Sequence, residues 1–197
     1  MRTKVPKLGR SKGGSRSVNQ SGQASGFLSL TAIMPGETDA LREYLQGFRD
    51  RGERPLEKVP GTHMARFVIV EKFNCKASYK QRQTETLACA TLAFSSNLDG
   101  PIDAYLDRLC TSFAPEAQEI WGRCVGSPAT CEGEELKEYL KRNQIDCGFF
   151  YAAYGEATVE KVKTSLEQRD RLVAFATGNQ GVPAAELQQA FLREFAS

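Results

Sequence analysis

The chain has 197 residues, 41% of them hydrophobic and 25% charged, with a formal net charge of +2 and a single histidine. That length suffices for one ordinary domain with a sizeable core, and the composition is that of a soluble globular protein. Its longest apolar runs, Phe67-Val68-Ile69-Val70 and Phe149 to Tyr154, are far too short to span a bilayer, and no signal-peptide core follows the basic start.

The charge is unevenly placed. Six of the 26 basic residues (Arg2, Lys4, Lys7, Arg10, Lys12 and Arg16) fall within residues 1–26, which hold no acid. In the remainder 24 acidic residues face 20 basic ones, a net charge of −4. A nucleic-acid-binding domain carries its basic residues on the folded surface, so nucleic acid is not an expected partner beyond loose contact by the tail. Residues 1–26 are rich in Ser, Gly, Lys and Arg and have almost nothing to bury. That composition cannot repay the entropy of ordering, so a disordered basic arm is expected ahead of one domain over 27–197.

The six cysteines (Cys75, Cys89, Cys110, Cys124, Cys131, Cys147) include no C-x-x-C pair. With one histidine in the chain, no structural metal site is expected. Free thiols, buried or half-buried in a reducing cytoplasm, are the expectation, and with them a cytoplasmic location. A disulfide between Cys124 and Cys131, which flank a Gly-Ser-Pro turn, is the alternative.

In chain order, Phe27 to Ile33 alternates apolar and small polar residues, the pattern of a half-buried strand stopped by Pro35-Gly36. Leu41, Tyr44, Leu45 and Phe48 at i, i+3, i+4, i+7 predict a helix, with Glu37 and Asp39 suited to its N-terminal dipole. Thr62 to Val70 reads as a central strand, and residues 72–86 as a polar loop or a ragged hairpin connection. Ala88 to Ser96 is the next strand, ended by Asn97-Leu-Asp-Gly100. Pro101 then opens a second helix striped by Ile102, Tyr105, Leu106 and Leu109.

Short helical pieces follow at Pro115–Trp121 and Glu134–Asn143, Gly148 to Tyr154 supplies a fourth strand, and two helices close the chain. Val159, Val162, Leu166 and Val173 line the first of these, and Leu187, Phe191 and Phe195 the second. The fold class that results is α+β: a ferredoxin-like βαββαβ antiparallel sheet with a helical insertion and two C-terminal helices.

Strand parity indicates what the helix-free face of such a sheet presents. Ala65, Phe67 and Ile69 are expected to face the helices, and Met64, Arg66 and Val68 the open side. In the first strand Leu28, Leu30 and Ala32 are expected inward, with Ser29 and Thr31 outward. In the third, Leu92 and Phe94 point inward and Thr91, Ala93 and Ser95 outward. The last strand is aromatic on both faces and leaves two registers open. Together with Tyr151, these residues make apolar walls with a few convergent polar groups, as small-molecule sites have. The plain alternative is a face covered by the insertion or by a second subunit, with Arg66 paired to a carboxylate.

His63 is the only side chain with an unperturbed pKa suited to acid–base work near neutrality. It is also the only nitrogen available for an axial haem bond, and its ordinary role is that of a surface or capping residue. Asp99 suits helix capping, and Asn97 at the strand end can face a ligand. No P-loop, nucleophile-elbow, His-Glu-x-x-His or dinucleotide glycine pattern is present. Thr91-Leu-Ala-Phe-Ser-Ser lacks the aromatic, basic-glycine strand of an RNA recognition module.

Four segments, Thr62-His-Met-Ala-Arg-Phe67, Phe94-Ser-Ser-Asn-Leu-Asp-Gly100, Ile120-Trp-Gly-Arg-Cys-Val-Gly126 and Ile145-Asp-Cys-Gly-Phe-Phe-Tyr-Ala-Ala-Tyr154, together resemble a little-characterised bacterial-type family of ferredoxin-like α+β proteins. Its members are encoded near, or fused to, peroxidase-like and lipid-oxidation enzymes. The likeness runs from Phe27 to Phe195, with fold-level similarity to dimeric α/β barrels and dye-decolorising peroxidases. It implies His63, Arg66, Asn97 and Asp99 as site residues. A histidine expected just before Ile145 is Asn143 or Gln144 here, so a two-histidine site is not implied.

The expected function is a small-molecule-binding protein, in enzymatic form an oxidative or detoxifying enzyme acting on a partly apolar substrate. His63 and Arg66 are its candidate catalytic residues, and Ser29, Thr31, Asn97, Asp99 and Tyr151 its candidate substrate contacts. The alternative is a non-catalytic accessory domain that forms a homodimer or partner complex through the open face.

Overall fold

The computed structural model describes residues 18–78 and 81–195, and of residues 74–78 and 81–85 the backbone alone. Residues 1–17, most of the expected basic arm, lie outside the described residues. The fold is α+β, with a four-stranded antiparallel sheet and six α-helices among the described residues.

The sheet is built on β2 (Ala24–Ala32), β3 (Thr62–Ser78) and β4 (Gln81–Asp99), with a two-residue β1 (Gln20–Ser21), in the order β1-β2-β4-β3. The crossover helix α1 (Thr38–Asp50) places Leu41 in the core with Tyr44, Leu45 and Phe48 packed against it. Helix α2 (Ile102–Ser112) starts directly after Pro101, and α3 (Ala114–Trp121) carries Pro115 in its first turn. Fixed φ and a missing N–H cost nothing at those positions. Helix α4 (Gly133–Arg142) buries Leu136, Tyr139 and Leu140.

These four helices cover one face of the sheet. The core centres on Phe67 and Phe94, stacked at 4.8 Å, with the Trp121 ring edge-on to both at 5.7 and 5.3 Å. A polar chain crosses this apolar layer: the Ser96 hydroxyl donates to Tyr105 Oη at 2.9 Å, and Thr62 Oγ1 lies 3.2 Å beyond it.

The structure decides three expectations. The first strand is turned over: Phe27, Ser29, Thr31 and Ile33 are buried, while Leu30 is 40% exposed. Ser29 and Thr31 stand opposite Phe94 and Leu92 in the ladder and share their inner face. Because side chains alternate, one misassigned position reverses the whole strand. The large residues at its two ends, Phe27 and Ile33, set the parity here.

Second, of the two readings of residues 72–86, a loop or a ragged hairpin connection, the described residues form the hairpin. β3 and β4 continue as one antiparallel ribbon from Lys72↔Thr86 to Ser78↔Gln81, with register shifts at Val70/Lys72 and Lys76/Ser78.

Third, Gly148 to Tyr154 is not a strand. Beside β2 the chain returns only briefly: the amide of Ile145 donates to Leu28 O at 2.8 Å and that of Leu30 to Asn143 O at 3.0 Å. Continuing the Ser29↔Gln144 register would set residues 147–149 opposite residues 26–24. That edge is already taken, since Gln20 and Ser21 pair with Ser25 and Ala24, and the Gly26 amide donates to Asn19 O. Residues 20–21 and 24–26 thus belong to the sheet. Cys124 adds a further single bridge to Ile33.

Helices α5 (Val159–Gly178) and α6 (Ala184–Phe195) follow, joined to one another by the Phe175, Phe191 and Phe195 rings. Neither contributes a buried residue.

Candidate functional site

The open face of the sheet gathers one polar cluster. Arg66 stands directly opposite Ser95 in the β3–β4 ladder, and its Nε donates to Ser95 Oγ at 3.0 Å. Asn97, two residues along β4 and on the same face, pairs in register with Met64. Leu28, Val68, Ala93 and Phe150 wall a cavity of about 360 Å³ that opens onto Arg66, Ser95 and Asn97. An adjoining hollow of about 430 Å³ is formed by Met64, Ala65, Arg66, Ser95 and Asn97. Arg66 pairs with no carboxylate among the described residues, and its terminal guanidinium nitrogens carry no protein hydrogen bond there.

A second cluster forms at the outer edge of β3. The ladder slips between Thr62↔Leu98 and Met64↔Asn97, so His63 is the extra residue of a bulge. Bulges re-aim a side chain out of the regular alternation. Here the bulge brings His63 Nε2 within 2.6 Å of Asp99 Oδ1, with the two side chains 25% and 18% exposed.

Asp99 is fixed from both sides. Its Oδ2 accepts from the amide of Val159, the first residue of α5, at 2.9 Å, and its own amide donates to Gly61 O at 2.9 Å. Thr158 accepts from Lys161 N at the same helix start. A carboxylate acceptor at Nε2 holds the neutral ring's proton there and leaves Nδ1 as an acceptor. Beside this pair lies a cleft of about 500 Å³ walled by Phe48, Leu56, Val59, Phe67 and Val162, with Lys163 at its rim.

The expected site residues therefore separate. Arg66 and Asn97 meet on the open face with Ser95, and His63 and Asp99 meet around the edge. Ser29 and Thr31 belong to neither group. Both are buried, Ser29 Oγ without a partner among the described residues, while Thr31 Oγ1 donates to Leu92 O at 3.5 Å. Tyr151, 69% exposed in the 148–154 coil, also touches neither cluster; Phe150 is the aromatic that closes over the open face.

Strand parity places Arg66 and Ser95 on the open face, and Asn97 is singled out by its position at the strand end. Nothing in the sequence signalled that Val159 and Lys163, some 60 residues later, join Asp99 and His63. Haem does not fit the arrangement. The ring nitrogen that reaches farthest from the backbone, Nε2, is the one Asp99 holds. Among the described residues no group of three His, Cys, Asp or Glu side chains could hold a metal ion.

Cys89, Cys110, Cys124, Cys131 and Cys147 are free thiols. Burial pushes Cys110 up to about 12 and Cys131 up to about 11, so both stay protonated and unreactive at neutral pH. The side chain of Cys75 lies outside the described residues.

No helix is long and apolar enough to cross a membrane among the described residues. No protein-family model, curated protein or solved structure matches the chain.

Proposed function

We propose that the protein binds a small, partly apolar anion on the open face of its sheet, with Arg66 as the anchor. The observation that carries this reading is the guanidinium itself. Ser95 orients Nε, while the terminal nitrogens lie beside apolar walls with no carboxylate among the described residues to neutralise them. A guanidinium fork so placed suits bidentate recognition of a carboxylate or phosphate. Asn97 supplies a further donor and acceptor, and Met64, Val68 and Phe150 accommodate the apolar part.

The enzymatic form of this proposal is oxidative or detoxifying chemistry on such a ligand, in line with the likeness to proteins encoded beside peroxidase-like and lipid-oxidation enzymes. The ferredoxin-like form of the fold is part of the same proposal. It is supported by the β2-β4-β3 order and by the short 143–145 return beside β2.

Native mass spectrometry of the protein purified from its host tests the reading directly. A bound small molecule is expected on the wild type, weaker on Arg66→Lys and absent from Arg66→Ala. The same adduct on Arg66→Ala would remove the arginine from the site.

A second reading, an interaction domain, is favoured by Phe149, Tyr151 and Tyr154, which are 80%, 69% and 83% exposed within six residues. Clustered exposed aromatics mark contact surfaces. The same spectra test it, since a monomer without an adduct protein removes it.

A further inference from the structure

Independently of Arg66, we propose that the cleft at the outer edge of β3 is a second small-molecule site. It takes an apolar weak acid of the phenol type, whose proton passes to His63 and whose anion is held by Lys163.

The cleft, about 500 Å³, falls in the size range of ligand pockets, and its walls of Phe48, Leu56, Val59, Phe67 and Val162 come from four separate places in the chain. Its polar groups are mostly engaged with one another. Arg54 pairs with Glu57 at the rim, and Thr62 Oγ1 donates to Val59 O at 2.9 Å.

His63 and Lys163 each offer a ligand an unengaged atom. Nδ1 of His63 has no protein partner among the described residues, because the bond to Asp99 runs through Nε2. Lys163 makes no ion pair or hydrogen bond among the described residues, and it stands one helical turn beyond Val159, whose amide Asp99 holds.

An acceptor beside a cation selects the ligand class. A carboxylate already ionised would satisfy Lys163 but brings no proton for Nδ1. An amine would be repelled by Lys163. An apolar molecule with an acidic O–H satisfies both: it donates to Nδ1 and keeps the developing negative charge near the ammonium. The step is a proton transfer and nothing more. The ligand O–H bond breaks and an N–H bond forms at Nδ1. Asp99 stands against the imidazolium, and Lys163 against the phenolate. Paired groups of this kind perform general-base work.

The test uses the full chain and p-nitrophenol, whose phenolate is yellow. His63 is the only histidine, so its ring signals are the only imidazole signals in the spectrum. Near neutral pH, where free p-nitrophenol is only partly ionised, adding protein is expected to increase phenolate absorbance. The His63 ring resonances should move toward their protonated positions along the same saturation curve. Lys163→Gln should weaken binding about tenfold, as loss of a charge-assisted contact does. His63→Gln should abolish the phenolate signal, and Val162→Arg, at a 43% exposed position, should block entry without unfolding the protein.

Absence of both signals in the wild type would overturn the proposal, as would an unchanged response in His63→Gln. Loss of the response in Arg66→Ala would reassign the probe to the open face and overturn it too. Because the host-ligand experiment above reads Arg66 alone, either site can fail without the other.

Discussion

The ring of Phe150 lies where a side chain on Gly26 would have to go: a Cβ built on Gly26 would stand 2.8 Å from the ring edge. This contact presses the 148–154 coil onto the sheet and closes the far wall of the Arg66 cavity. Gly26→Ala is expected to push the ring aside and lower stability by about 1–3 kcal/mol, the usual cost of overpacking. In a Phe150→Ala background the same substitution should cost far less. A double-mutant cycle by urea denaturation measures the difference.

Asp99 ties α5 to the sheet. Asp99→Asn is expected to loosen the first turn of α5, through lost charge at the helix start, at a cost of about 1 kcal/mol. Hydrogen exchange checks this locally: the Val159 amide should exchange faster, while the amides of β2 keep their protection.

Trp121 fills the centre of the core, yet its indole Nε1 is buried with no partner among the described residues. Trp121→Ala is expected to cost about 3–5 kcal/mol through the cavity it leaves. Trp121→Phe should cost about 1 kcal/mol or less, because the smaller ring also removes an unsatisfied donor. Paired thermal melts separate the two.

Stability should fall in alkali. Burial raises the Cys110 and Cys131 thiols from an ordinary 9.0 to about 12 and about 11. The unfolded chain therefore ionises first, and the contribution of these thiols is complete below pH 9.0 and is lost as pH rises through their folded values. The Tyr105 and Tyr139 phenols, also raised mainly by burial, steepen the loss above pH 10. Urea midpoints between pH 8 and 11 should decline, and Cys110→Ala should flatten the slope.

Removing residues 159–197 should leave the core intact, since neither α5 nor α6 buries a residue. The check is the Trp121 emission maximum, which should stay at its wild-type wavelength in the shortened chain.

Much of the α+β layout was legible because its signals are local. The 3.6-residue stripes of α1 and α2, the prolines at 101 and 115, and the Arg66/Ser95 parity each depend on a few neighbouring residues. What escaped depends on distant partners. Leu28 and Leu30 look like core residues until Phe27 and Ile33 are seen to face the helices together. Gly148 to Tyr154 has the composition of a strand, but Asn19 to Ser21 already hold its place. The His63–Asp99 pair needed a bulge, a one-residue irregularity that no residue type in Thr62-His63-Met64 announces.

The patched border of β2 has a kinetic consequence. Its partners come from residues 19–21, 124–125 and 143–145, so most of that edge joins parts of the chain more than 90 residues apart. Such closures carry a high entropy of loop formation and follow the nearby β3–β4 ribbon, whose pairing is local. During synthesis β2 emerges long before α4 and residue 143, and until they arrive its edge offers unpaired amides and carbonyls. That interval, rather than the finished fold, is where this chain is most open to pairing with another copy of itself.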